Sequence, residues 1–363
     1  MKKTILQLLA LVVFVCAVST GSQGQNPIPS SLSNLPEADT LIYINPQRIL
    51  NEAAPRLLPE KELAEMRQAF TEVKQRAGVD PSKIDFVVIA VRFRKPTGEL
   101  SFMPPEFLTV ASGDFSAASL ITLARLAAGG KLRDEAYGAK TLSLMTIDPI
   151  AKEAEKNPIL KSFSEIGIAP INESTIGIGT TAYLKAAIDA NDGQGRISTE
   201  SLNSLLRDPS VLVSIAGSPI TSFAKSFGLL GTETTPRPSR CDTKFGDFYA
   251  AVTMDATNFM LRGALNADNP DTAKIVHSLV GGLIRQAVSS VPDKTAQAVL
   301  NNISIAPQDH EIVLRGDVSQ QTVVAFIKEQ MTPKPTKPTS RAAVAPPVKK
   351  PAVRTRRRPS SKP

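Results

Sequence analysis

Apolar residues recur at two spacings along this chain, helical and extended, from about residue 40 to residue 330. Helical spacing is clearest in Glu60–Ala77, where one face carries a stripe of apolar residues. The stripe consists of Leu63, Met66, Phe70, Val73 and Ala77. Gly78 and Pro81 follow, and they predict that this helix ends at Gly78.

Short apolar runs bounded by turn residues predict β-strands. Ile84–Phe93 is almost unbroken, which is typical of a central strand buried on both faces. The other strands are expected at Thr40–Ile44, Glu106–Ser112, within Lys140–Ile147 and Glu165–Gly179, and at Val211–Ala216, Phe248–Met254, Phe259–Leu265, Asn302–Ala306 and Glu311–Gly316.

Further helices are expected between these strands. They are a helix that begins at the N-cap Ser116, and the segments Thr181–Ala190, Thr199–Leu206, Ile220–Phe227, Asp271–Ser289 and Gln320–Gln330. Because strands come in adjacent pairs between helices, the predicted fold class is α+β with mostly antiparallel sheets.

The pattern restarts near residue 208. Gly113-Asp114-Phe115-Ser116 and Gly316-Asp317-Val318-Ser319 each end a predicted strand and open a predicted helix. Either the chain contains an internal duplication or this is a local similarity of two turns. We expect two similar lobes, 38–207 and 208–331, each a mostly antiparallel sheet packed with helices.

Residues 1–24 predict a secretory signal peptide. Lys2 and Lys3 precede an apolar run, Ile5–Val18, that is shorter than the about 20 residues of a membrane span. Cleavage is expected after Ser19 or after Gly24, and retention of the segment as an anchor is the alternative. A lipid on Cys16 is a further alternative.

A polar leader, 25–37, separates the signal peptide from the first predicted strand. We therefore expect an exported protein, periplasmic or extracellular, with no transmembrane span after the signal peptide. Removal of the signal peptide leaves Cys241 as the one cysteine, so no disulfide is expected within the chain.

The formal net charge of +8 is unevenly distributed. The segment 332–363 holds ten Lys and Arg residues and no acidic residue, and it is rich in proline. Without this tail and without Lys2 and Lys3, 30 basic residues remain against 34 acidic residues, a net charge of about −4. We predict a disordered tail with polyproline II character. Its candidate binding residues for an anionic partner are Lys349, Lys350, Arg354, Arg356, Arg357 and Arg358.

Three short motifs resemble functional sites, and in each a structural interpretation is favoured. Gly177-Ile178-Gly179 resembles a dinucleotide fingerprint, but it lacks the following parallel strand that ends in an acidic residue. Asp189, Asn191 and Glu200 have calcium-loop spacing, but Gln194 stands where the loop needs glycine. Ser222 and Lys225 have the spacing of a Ser-x-x-Lys nucleophile without the accompanying motifs.

The remaining chemistry-bearing residues are scattered. Arg315-Gly316-Asp317 spells an adhesion tripeptide that a strand end already explains. His277 and His310 are the only histidines, and no carboxylate or cysteine cluster stands near them at ligand spacing. We therefore expect no catalytic residues, no metal site and no cofactor.

Three stretches of the chain resemble a broad family of exported bacterial α+β domains of unknown function. They are Pro36–Ile44, Thr175–Asp192 and Ser198–Ala216, and together they mark most of residues 35–217. The resemblance implies export and an α+β architecture. It supplies no catalytic residues.

These patterns favour an exported, non-enzymatic cell-envelope protein. Its basic tail would tether it to an anionic envelope polymer or to lipid headgroups, with no sequence-specific nucleic-acid binding because no aromatic residues are interleaved. The alternatives are an exported hydrolase whose site is assembled from distant residues, and a carrier of a hydrophobic ligand.

Overall fold

The structure is a computed structural model, and it describes residues 29–93, 105–146, 165–217, 245–274, 277–278, 280–282 and 294–331. In these residues twelve strands form one antiparallel sheet. They are β1 Thr40–Ile44, β2 Ile84–Arg92, β3 Glu106–Gly113, β4 Arg133–Tyr137, β5 Lys140–Thr146, β6 Glu165–Asn172, β7 Thr175–Thr180, β8 Val211–Gly217, β9 Phe245–Met254, β10 Asn258–Ala267, β11 Ile303–Gln308 and β12 Glu311–Ser319.

Helices lie on the faces and ends of this sheet. They are α1 Ser30–Ser33, α2 Pro46–Arg48, α3 Ala54–Leu57, α4 Glu60–Ala77, α5 Ala117–Ala127, α6 Thr181–Asn191, α7 Thr199–Leu205, α8 Lys294–Asn301 and α9 Gln320–Met331. A π-helical turn, Ile49–Ala53, joins α2 to α3. Residues 271–274, 277–278 and 280–282 are also helical, whereas the predicted helix Ile220–Phe227 lies outside the described residues.

The strands follow the order β11-β12-β10-β9-β8-β1-β2-β3-β7-β6-β5-β4. The α+β class with antiparallel pairing is therefore confirmed, but the separate sheets expected for two lobes are one continuous sheet. The two parts join because β1 and β8 pair antiparallel, with Thr40 opposite Gly217 and Ile44 opposite Val213. This pairing satisfies backbone groups that two separate sheets would leave at open edges.

The strand order repeats on the two sides of the β1–β8 pair. From the centre outward it is β1-β2-β3-β7-β6 on one side and β8-β9-β10-β12-β11 on the other. The outer hairpins also share a motif, Ile-x-Ile-Ala-Pro, at Ile166–Pro170 in β6 and Ile303–Pro307 in β11. In both hairpins the second isoleucine of the motif faces the third residue after the turn-flanking pair, since Ile168 faces Ile178 and Ile305 faces Leu314. The hairpin β6–β7 differs by a bulge between Pro170 and Asn172.

The similarity between residues 113–116 and 316–319 does not relate matching strands, so as a sign of duplication it is wrong. Gly113 ends β3, whose counterpart in the strand order is β10, whereas Gly316 lies inside β12. Both serines are nevertheless helix caps. Ser116 accepts a hydrogen bond from the Ser119 N–H, and Ser319 accepts one from the Thr322 N–H.

The main core lies on one face of the sheet, which we call the first face. It joins Leu41, Val88 and Leu108 of the central strands to Tyr183 and Leu184 of α6, with α7 alongside. The opposite, second face is covered in patches. The segment α2–α3 packs over β1 and β8 through Ile49 and Leu57, and α5 packs over β6 and β7 through Ala117 and Ile121.

Three local predictions need correction or refinement. Helix α4 has the predicted bounds and ends at Gly78 in the left-handed conformation, but its apolar stripe is only partly covered, since Leu63 is buried and Val73 is exposed. In β2, Phe86, Val88 and Ala90 are buried and the residues between them are half-buried, so the strand is not buried on both faces. Strand β4 was not predicted, because charged Arg133–Glu135 interrupts the apolar pattern.

Candidate functional site

A polar network occupies the end of the sheet where β2 ends and β3 begins. Arg92 and Glu106 face each other across these strands. Arg92 Nη2 lies 2.6 Å and Nε lies 2.8 Å from Glu106 Oε2. Because Glu106 is only 5% exposed, this ion pair is the most deeply buried carboxylate contact of the described residues.

Tyr183 of α6 completes this pair from the first face. The Arg92 guanidinium carbon lies 4.5 Å from the centre of the Tyr183 ring, which is a favourable cation–π distance. The Tyr183 hydroxyl donates to the Glu37 carbonyl at 2.8 Å. Burial raises the pKa of Tyr183 well above its ordinary value, so the phenol stays neutral and acts as a donor.

A second set of ion pairs joins β4, β6 and α6. Arg133 lies 2.7 Å from Glu165 and 3.2 Å from Glu135, and Lys185 lies 2.5 Å from the other oxygen of Glu135. The Lys185 ammonium, followed by Arg133, lowers the pKa of Glu135, so this carboxylate is ionised at neutral pH. Thr181 adds a hydroxyl bond to Glu165 at 3.0 Å.

Tyr137 extends this set to the far end of α6. Its hydroxyl lies 3.0 and 2.9 Å from the two carboxylate oxygens of Asp189, and Lys185 lies 5.3 Å from its ring centre. The bond to Asp189 raises the pKa of Tyr137, because ionisation would place two anions together.

Chemically, this network pairs opposite charges and fixes α6 on the sheet. Sequence reasoning missed Arg92 and Glu106, although one signal was present: each is a charged residue at the end of an apolar strand, and the two strands are consecutive. Among the described residues, no three His, Cys, Asp or Glu side chains come together as a metal-binding group.

The predicted anion-binding residues, Lys349, Lys350, Arg354, Arg356, Arg357 and Arg358, lie outside the described residues. Residues 25–331, between the signal-like segment and the tail, contain 30 Lys and Arg residues against 34 Asp and Glu residues, a net charge of −4. This part of the chain ends at Met331 in α9, directly before the basic tail. The acidic body and the basic tail are therefore adjacent in sequence.

Gly177 and Gly179, of the dinucleotide-like motif, lie inside β7 and serve packing. A Cβ at Gly177 would stand 2.8 Å from Leu184 Cδ1, and one at Gly179 would stand 2.3 Å from the Phe107 carbonyl oxygen. The glycines therefore allow α6 and β3 to approach β7 closely.

The three residues with calcium-loop spacing, Asp189, Asn191 and Glu200, do not surround a common point. Asp189 accepts the Tyr137 hydroxyl, the Asn191 carbonyl accepts from Arg196, and Glu200 lies in the first turn of α7. This arrangement supports the structural interpretation of the segment as a connector between two helices.

The remaining candidates from the sequence are the Ser-x-x-Lys residues, the Arg-Gly-Asp tripeptide and the two histidines. Ser222 and Lys225 lie outside the described residues. Arg315-Gly316-Asp317 lies inside β12, where Asp317 Oδ1 pairs with Arg262 at 2.6 Å. His277 Nε2 lies 3.3 Å from the Ile305 carbonyl oxygen, and His310 is exposed in the turn between β11 and β12.

Two shallow, open depressions lie on the surface of the described residues. One is lined by residues of α9 together with Arg56, and the other lies at the start of α5 beside Lys140 and Asn172. In the same residues no helix combines the length and the apolar character needed to cross a membrane.

No protein-family model matches the chain, and no curated protein sequence matches it significantly. Solved structures of a protein named TP0453 are similar to part of it. Crystal forms I and III have 9% and 10% sequence identity, a TM-score of 0.40, and cover 84% of this chain and 99% of theirs. Crystal form IV has 9% identity and the same TM-score over 82% of this chain and 95% of its own.

Proposed function

We propose that this chain is an exported, non-enzymatic cell-envelope protein, tethered by its basic tail to an anionic surface or polymer. The observation that carries the proposal is the charge division: residues 25–331 have a net charge of about −4, while the tail 332–363 has ten basic residues and no acidic one. An acidic body does not favour anionic partners, so the attraction resides in the tail.

The tail is long enough to act as a tether. A polyproline II chain of its 32 residues would span up to roughly 100 Å at about 3.1 Å per residue. Lys349, Lys350 and Arg354–Arg358 carry its densest charge, near the far end from the body. Binding through such residues is sequence-independent and weakens as salt screens the charges.

The contacts of the described body support a structural role over the alternatives of hydrolase and ligand carrier. Arg92, Glu106 and Glu135 are paired with opposite charges or aromatic rings instead of lining a cleft. The depressions found in the described residues are shallow, whereas a carrier of an apolar ligand needs an enclosed apolar pocket.

Co-sedimentation with isolated cell envelopes tests the tether. The chains 25–363 and 25–331 share the whole described body and differ only in the tail. We expect the longer chain to sediment with envelopes at low salt and to be released at high salt, and the shorter chain to stay in solution. Equal sedimentation of both chains would contradict the tether and place the binding site on the body.

A charge-matched pair of variants separates the effect of the densest charge cluster from the effect of net tail charge. One variant changes Lys349, Lys350 and Arg354 to Gln, and the control changes Lys334, Lys337 and Arg341 to Gln. Both lose three charges, but only the first reduces the densest cluster. We expect the first to bind more weakly than the control, and equal loss would show that only net charge matters.

We also infer that the protein is exported and that its body comprises two lobes of common origin, 38–207 and 208–331. Export rests on the signal-like segment 1–24, and cell fractionation tests it, with the chain confined to the cytoplasmic fraction as the contradicting result. Common origin is supported by the repeated strand order and by the shared Ile-x-Ile-Ala-Pro strands.

A further inference from the structure

Strand β11 forms one edge of the sheet, and its backbone leaves polar groups pointing outward. The two-residue turn Asp309–His310 makes Gln308 and Glu311 a hydrogen-bonded pair. Bonded pairs alternate along an antiparallel ladder, so Ser304 bonds to β12 and Ile303 and Ile305 do not. The N–H and C=O groups of Ile303 and Ile305 therefore point away from the sheet.

The side chains of β11 do little to repel a neighbouring strand. In its six residues there is no charged side chain, and Ile303 and Ile305 are half-buried on the second face. The opposite edge strand, β4, carries Arg133, Asp134 and Glu135 in five residues. Charged residues of this kind are the usual protection of an edge strand against pairing, so the two edges differ in their readiness to pair.

The matching strand on the other side of the sheet is already paired at this position. β6 is the counterpart of β11, and its outer edge bonds to β5, with Ser143 opposite Ile168 and Met145 opposite Ile166. By the shared motif these isoleucines match Ile305 and Ile303. In the described residues no strand occupies the corresponding place beside β11.

We propose that β11 pairs antiparallel with β11 of a second copy of this chain, so that two sheets continue through a twofold axis at Ser304. The second copy is favoured because a twofold axis makes two identical strands antiparallel, as β1 and β8 already are within the chain. This inference stands on the body alone and is independent of the tail.

The twofold pairing uses every outward group that β11 offers up to Pro307. Ile303 of each copy faces Ile305 of the other, and each residue donates its N–H and accepts at its carbonyl. Pro307 has no N–H and lies just beyond this pairing, as proline tolerates. The Ile305 carbonyl already receives His277 Nε2 at 3.3 Å, but a carbonyl oxygen has a second lone pair for the incoming N–H.

Disulfide formation at the axis tests the register. In the pairing, Ser304 faces Ser304 of the second copy as a non-bonded pair, with Cα atoms about 4.5 Å apart, which suits a disulfide. We would oxidise the mature chain 25–363 with Cys241→Ser and Ser304→Cys. We expect a covalent dimer on a non-reducing gel that dithiothreitol reverses.

Gln308→Cys in the same background is the matched control. Gln308 is exposed on the same strand and face, but the two copies of it would lie about 27 Å apart at about 3.4 Å per residue. It should therefore cross-link far more slowly. Equal cross-linking of the two variants would overturn the register and the proposal with it.

Sedimentation equilibrium tests the association without cysteines. We expect the unsubstituted mature chain to show a concentration-dependent dimer, and Ile305→Pro to remain monomeric with an unchanged circular dichroism spectrum. This substitution removes an outward N–H and no bond to β12. Monomeric unsubstituted protein over the whole accessible concentration range would overturn the proposal, as would an unaffected dimer in Ile305→Pro.

Discussion

The two halves of the sheet share a strand order but surround it differently. In the first half, α6 follows β7 and lies over the first face, where Tyr183 and Leu184 are fully buried. In the second half, α9 follows β12 and packs instead against α3 and α8. The first face of β12 keeps exposed Arg315 and Asp317.

Two small residues beneath α6 distinguish the two halves. By the shared motif and the strand pairings, Gly167 and Gly177 of the first half match Ser304 and Val313 of the second. Cβ atoms at Gly167 and Gly177 would each stand 2.8 Å from Leu184. Side chains at these positions therefore exclude a helix packed as closely as α6. Equal strand order does not ensure equal layers, because the small residues of a strand decide whether a helix can lie on it.

The largest expected effect compares a buried ion pair with an exposed one. Arg92→Met in the first half removes the guanidinium that lies 2.6 Å from Glu106, which is 5% exposed. We expect a loss of about 3 kcal/mol in the free energy of unfolding, since a buried carboxylate loses a close cationic partner. Arg262→Met in the second half removes the partner of Asp317, whose side chain is 57% exposed, and should cost about 0–1 kcal/mol.

Urea unfolding at neutral pH measures both variants. Added salt should reduce the stability difference between Arg262→Met and the unsubstituted protein by a larger fraction than that for Arg92→Met. Exposed charges are screened more strongly than buried ones. Equal losses in the two variants would contradict the assignment of the buried and exposed pairs.

The next effect imposes a residue of the second half on the first. Gly177→Val introduces the residue that stands at the matching position 313, and its Cβ would stand 2.8 Å from Leu184 and 3.1 Å from Ile171. We expect a loss of about 1–3 kcal/mol from overpacking, with faster amide exchange in α6. Denaturant unfolding and hydrogen exchange measure these two quantities.

Gly316→Ala is the control in the second half. Its Cβ would stand 3.4 Å from Ile303 and Leu261, which is a close van der Waals contact without overlap. We therefore expect the free energy of unfolding to change by less than about 1 kcal/mol. A larger loss in Gly316→Ala than in Gly177→Val would refute the packing role of the glycines in β7.

The smallest effect concerns two turn carboxylates, one in each half. Bonds from the Ser82 hydroxyl and Lys74 hold the pKa of Asp80 at about 2, and the backbone N–H groups of Thr257 and Asn258 lower the pKa of Asp255. A folded pKa below the unfolded value gives stability that is present above the unfolded pKa and lost as pH falls through the folded one.

Asp80→Asn should therefore be less stable than the unsubstituted protein at neutral pH, with the gap closing between about pH 4 and pH 2. Asp255→Asn should show a gap of the same sign. Acid titrations of urea stability measure both. A gap that widens on acidification would contradict the sign. Ser82→Ala should raise the pKa of Asp80 in an NMR titration, because it removes the hydroxyl that donates a hydrogen bond to the Asp80 carboxylate.

Local patterns predicted most of the helices and strands. They did not predict the features that depend on pairing between distant segments. Helix α4 and strand β1 agree with the sequence at both ends, since periodicity and end signals lie within each segment. Strand β4 was not predicted because its three consecutive charged residues, Arg133–Glu135, lack the apolar pattern of a strand. The candidate site was missed in part because Arg92, Glu106 and Tyr183 are neighbours only after β2, β3 and α6 assemble.

The sequence by itself determined the α+β class, the ends of the long helix α4, and the uneven charge between body and tail. These depend on spacing and composition, which are local properties. Only the tertiary structure decided that β1 pairs with β8, that one sheet replaces two, and that α6 and α9 pack differently. The physical reason is that the pairing of strands and the packing positions of helices depend on contacts between residues far apart in sequence. A local pattern does not specify such contacts.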